Sequence, residues 1–130
     1  MSETGSGMQI SGVGRVIVPV SDQDQALEFY VEKLGFEKGM DVTYGEGNRW
    51  LEVTPPSGGT AIALVPPPEG ESAGVETRIS LKTSDIDSDH AELRARGVDT
   101  DPEVMRMGDP VPPMFFFRDQ DGNTLLIVEG

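Results

Sequence analysis

The chain has 130 residues, 36% of them hydrophobic and 25% charged, which suits one compact domain and is too short for two independent globules. It contains no cysteine, so disulfides, thiolate chemistry and zinc sites built on cysteine are excluded. A formal net charge of -13 with no Lys/Arg stripe repels phosphate backbones, so nucleic acid is not an expected partner, and no run reaches the roughly 18 apolar residues of a membrane span.

Residues 1–12 are rich in Gly and Ser and read as a flexible segment. They have neither the basic nor the apolar region of a signal peptide, so a cytoplasmic location is expected. Gly14 to Val20, GRVIVPV, predicts a strand near a sheet edge, with Val16, Val18 and Val20 on one face and Arg15, Ile17 and Pro19 on the other. Ser21-Asp22 supplies cap chemistry, and Ala26, Leu27, Tyr30, Val31 and Leu34 recur at helical spacing until Gly35 ends the helix. Three strands follow at Glu37 to Tyr44, Arg49 to Thr54 and Thr60 to Val65, separated by GEGN and PPSGG turns. Residues 66–74, PPPEGESAG, form a linker.

The same order then returns. Arg78 to Thr83 predicts a strand, Ser84-Asp85 a cap, His90 to Arg96 the body of a helix, and Gly97-Val98 mirrors Gly35-Phe36. Arg15 and Arg78 stand 63 positions apart, as do Asp22 and Asp85, while Thr60 and Thr124 stand 64 apart. Further strands are predicted at Thr100 to Met107, Pro113 to Phe117 and Thr124 to Glu129. The fold class is therefore α+β: one domain, 13–130, of two tandem βαβββ modules, 13–65 and 75–129.

The runs VPVSDQDQALEFYVEKLGF and FFRDQDGNTLLIVE resemble the vicinal oxygen chelate superfamily, which includes glyoxalases, extradiol dioxygenases and bleomycin-resistance proteins. The resemblance covers Gly14 to Glu129. It implies that the two modules form a partly open curved sheet around a cleft for a small molecule, that the protein is a homodimer, and in the metalloenzymes of the group that a divalent ion is held by His or Glu from the first and last strand of each module. At the first-strand positions this chain has Arg15 and Arg78. The last-strand positions fall on Leu126 and on Ile62 or Ala63. A divalent ion needs several deprotonated N or O donors, and two guanidiniums would repel it, so no metal ligand and no cofactor are assigned.

Arg15 and Arg78 share a strand position on the face turned from the helix, so either they clamp a carboxylate or phosphate together or they pair with surface acids. Trp50 and Glu52 share a strand face. Glu52 is either a general base desolvated beside the indole or a rim carboxylate paired with Arg. Of the three consecutive phenylalanines, Phe115 and Phe117 share one face and Phe116 takes the other, where with Leu126 it would line the cleft. His90, the only histidine, is expected on the polar face of its helix in a structural role. Met105 to Pro113, MRMGDPVPP, is either a semi-rigid loop over the cleft or edge protection. The expected function is metal-free binding of a small organic molecule, of the sequestration or resistance type. The alternative is a lyase, epimerase or dioxygenase with a displaced metal site or metal-free acid/base chemistry.

Overall fold

The computed structural model describes residues 7–130; the expected flexible segment 1–12 lies partly outside them. In module one, β1 (Arg15–Pro19) leads into α1 (Gln23–Glu28), whose first turn is capped by the Asp22 side chain accepting from the Gln25 N–H at 3.0 Å. The helix does not run on unchanged. Phe29–Lys33 forms a π-helical turn, a widening that leaves no mark in the spacing of apolar residues. Gly35, at φ 77°, then stops it, and the Gly35 and Phe36 N–H groups close back on Val31 and Tyr30. β2 (Glu37–Tyr44), β3 (Asn48–Thr54) and β4 (Ala61–Val65) complete a sheet of order β1-β4-β3-β2, with β1 parallel to β4.

Module two repeats the plan with β5 (Glu76–Thr83), α2 (Ile86–Ala95), β6 (Asp99–Thr100), β7 (Met114–Arg118) and β8 (Thr124–Glu129). Its sheet order is β5-β8-β7-β6, with β5 parallel to β8. Asp85 caps α2 by accepting from Ser88 at 3.2 Å, and Gly97, at φ 79°, ends it. The strand expected from Thr100 to Met107 is reduced to two residues plus one isolated bridge between Met105 and Met114. Pro102 has no N–H to give to β7, and pairing ends beside it.

Each sheet buries one face against its own helix. Val18, Val20, Leu51, Val53, Ile62 and Leu64 pack around Ala26 and Tyr30, while Phe115, Phe117, Leu125 and Ile127 pack around Ile86 and Leu93. Phe29, Leu34, Ile79 and Leu81 touch both clusters, so the two cores are continuous. Polar bonds clasp the modules where β7 turns into β8. The buried Tyr30 hydroxyl donates to Asp119 at 2.8 Å, and Asn123 Nδ2 donates to the Pro19 carbonyl at 2.8 Å. The Asp121 carboxylate accepts from the Ser21 N–H at 3.0 Å.

Candidate functional site

Strand alternation sends every second residue of β1 to β4 away from the helix, onto an open face. The register brings them into rows: Ile17 lies beside Ala63, Ala63 beside Glu52, and Val42 opposite Trp50. Trp50 Nε1 donates to Glu52 Oε2 at 2.6 Å, and the Arg15 Nε donates to the same oxygen in an ion pair. Arg15, Trp50 and Glu52 are thus brought together, as one hydrogen-bonded cluster.

Glu52 is only 5% exposed, so it is not a rim carboxylate. The Trp50 hydrogen bond lowers its pKa below the ordinary value; burial pushes the other way, and Arg15 adds to the lowering. The carboxylate is therefore held charged and made a weaker base than an ordinary glutamate, opposite to what desolvation alone would do.

Around this cluster the open face is apolar and solvent-exposed. Arg15, Met40, Val42, Tyr44 and Trp50 line an open depression of about 520 Å³. Tyr44 is 53% exposed and Ile17, on the same face, 58%. Met40 reaches the depression through an irregularity in the pairing of β2 with β3 between Lys38 and Asp41. None of Met40, Val42 and Tyr44 stood out in the sequence, although β2 alternates apolar residues at those three positions.

Phe116 and Leu126 face each other across β7 and β8 on the open face of module two, half-buried, while Phe115 and Phe117 are core. Arg78 does not join Arg15: it lines a different cavity, between the modules. His90 is half-buried rather than on an exposed polar face. Its Nε2 lies 2.7 Å from the Asp101 carbonyl and its ring meets Phe115 edge-on at 4.8 Å, because the short β6 carries Asp101 against the helix. Met105 to Pro113 turns at Gly108, whose carbonyl accepts from Val111, and Arg106 of this loop pairs with Asp87 of α2. A third cavity, of about 240 Å³, lies between the helix ends. Its Lys33, Arg96 and Glu92 already satisfy one another or nearby carbonyls.

The donor set does not fit a divalent ion. Arg15 and Arg78 hold the first-strand positions, and the register places Ala63 rather than the buried core residue Ile62 at the place equivalent to Leu126. Among the described residues no three His, Cys, Asp or Glu side chains are grouped to hold a metal. No helix among them is long and apolar enough to cross a membrane.

Comparison with known proteins agrees with this architecture. An uncharacterised protein of Bacillus subtilis (strain 168), YetH, is 32% identical over 123 residues, covering 92% of this chain and 99% of its own. The crystal structure of TnmS3, an antibiotic-binding protein from Streptomyces sp. CB03234, superposes with a TM-score of 0.81 at 36% identity, covering 94% of this chain and 98% of that one. A structure from Sphaerobacter thermophilus DSM 20745 superposes with a TM-score of 0.86 at 37% identity, covering 93% and 98%. Residues 12–127 match the family model of the Glyoxalase/Bleomycin resistance protein/Dioxygenase superfamily, and the chain belongs to that superfamily.

Proposed function

We propose that this protein binds a small, largely apolar organic molecule without a metal, as a sequestering protein, against the open face of module one. The observation that carries this reading is the Arg15–Glu52–Trp50 cluster set among the exposed Met40, Val42 and Tyr44. Apolar walls with a few fixed polar groups are the usual make-up of a small-molecule site. The arginine's charge is already matched by Glu52, so the site selects by shape and ring stacking. The net charge of the chain attracts cationic molecules and repels anions. The antibiotic-binding relative points to the same class of ligand.

The depression is shallow for a ligand of that kind, and it draws only on module one. In our reading a second copy closes it in a homodimer, bringing up Phe116 and Leu126. Acid/base turnover has less support, because Glu52 is held as a poor base.

Trp50 is the only tryptophan, so its fluorescence reports the site directly. The purified chain is titrated with bleomycin and with planar aromatic antibiotics, alongside thermal melts and sedimentation. At least one compound is expected to quench Trp50 and raise the melting temperature of a dimer, by mass action. A stoichiometric divalent ion in the purified protein, or an absence of any antibiotic-dependent shift, overturns the reading.

A further inference from the structure

The two modules carry an arginine at the same place in their first strands, yet only one of them is paired. The register gives the reason. In module one Ile17, Ala63 and Glu52 lie side by side; in module two the same row is Ser80, Leu126 and Phe116. Phe116 thus occupies the place of Glu52, and the repeat supplies Arg78 with no carboxylate. Among the described residues the Arg78 guanidinium has neither a hydrogen bond nor an ion pair, although its backbone N–H donates to Glu76 at 3.1 Å.

Arg78 is also held in an unusual conformation. It has φ 61°, the left-handed region that disfavours a residue with a Cβ, and no other described non-glycine residue has a positive φ. Pairing of β5 with β8 is interrupted around it, between Glu76 and Ser80. The side chain leaves the alternation of the strand and lines a cavity of about 330 Å³ between the modules. The other walls are mostly apolar, with Val13, Val16, Pro55, Ile62 and Ile79 among them. Arg78 is itself exposed, at the mouth of this cavity, and a left-handed residue that carries an unpaired charge over apolar walls fits a binding position.

We propose that this inter-module cavity is a second ligand site, distinct from the open face of module one, for a small monocarboxylate with an aliphatic or aromatic body. The guanidinium fork takes both carboxylate oxygens, and the apolar walls take the body. The volume lies at the small end of the roughly 300–1,000 Å³ of ligand pockets, which restricts the body to a short chain or a single ring. A single negative charge fits better than a phosphate, because the chain's own charge and the apolar walls oppose a second one.

Hexanoate and its neutral isostere hexanamide are titrated into the full chain by calorimetry, with NMR chemical-shift mapping. Hexanoate is expected to bind and to perturb Val16, Ile62 and Ile79, with hexanamide about tenfold weaker or more, the loss of a charge-assisted pair. Arg78→Gly, which takes the left-handed conformation freely, is expected to fold and to lose about tenfold or more in hexanoate affinity. Lys82→Gln, which removes an exposed cation of the same strand outside this cavity, is expected to leave hexanoate binding unchanged. Equal affinity in Arg78→Gly and the parent chain, shifts centred on Trp50, or no hexanoate binding at millimolar concentration overturns the proposal.

Discussion

Trp50 and Glu52, two residues apart on one strand, are joined side chain to side chain, the indole N–H donating to the carboxylate at 2.6 Å. Neighbours at this spacing share a sheet face but ordinarily point in parallel without bonding. Here the indole gives a buried carboxylate a fixed donor. Trp50→Phe keeps the ring and removes that donor. It is expected to destabilise the fold by roughly 1.5 kcal/mol, the worth of a hydrogen bond to a charged group, in urea denaturation. In the same variant the Glu52 pKa is expected to rise, read by NMR titration of its carboxyl carbon.

The acid limb of stability carries the same signature. Trp50 chiefly holds Glu52 below its ordinary pKa, and Arg49 chiefly does so for Asp41, which accepts its guanidinium at 2.9 and 3.0 Å. A carboxylate with a lowered folded pKa contributes stability that is complete above its unfolded pKa, about 4, and is lost as pH falls through the folded value. Melting temperature is therefore expected to fall below about pH 4. Glu52→Gln should flatten that acid slope, and an unchanged slope would show that Glu52 does not contribute to it.

At alkaline pH the sign reverses. Burial first, then the neighbouring Asp119, push the Tyr30 phenol well above its ordinary value. A raised folded pKa contributes stability below the unfolded pKa of about 10, lost as pH rises from there through the folded one. Tyr30→Phe is expected to cost about 1 kcal/mol at neutral pH and to reduce the alkaline loss. Asp119→Ala should cost more, about 3 kcal/mol or above, because it takes the acceptor from the Tyr30 hydroxyl and two backbone N–H groups and one of the two acceptors of Asn123 Nδ2.

Arg78→Gly carries a stability forecast separate from any ligand. Relief of a left-handed L-residue outweighs the added chain entropy of glycine, so the variant should be more stable by up to about 1 kcal/mol. The same substitution at Arg15 should destabilise, because it leaves Glu52 buried and short of a partner. Paired denaturation curves of the two variants check both directions.

Much of this was legible in the chain itself. β2 and β8 have the limits that the turns and the repeat predict, and Asp22 and Asp85 cap as their positions suggest. What escaped the sequence was non-local or conformational. The π-helical turn leaves apolar spacing intact, and the left-handed backbone at Arg78 hides within an ordinary β-rich run. Arg78 and Arg15 line different cavities, and neither that separation nor the φ angle is encoded in residue type. Glu52's weakness as a base depended on which way Trp50 turned its N–H, and alternation gives only the shared face.

The clasp between the modules has a consequence for synthesis. Pro19 and Tyr30 receive their partners from Asn123 and Asp119, 104 and 89 positions later. A ribosome that has made all of module one has not yet made either partner. The nascent half leaves the exit tunnel with a phenol hydroxyl and a strand carbonyl still wetted, and shields them only once β7 and β8 have emerged. Completion of the N-terminal half is thus timed by the translation of the C-terminal one.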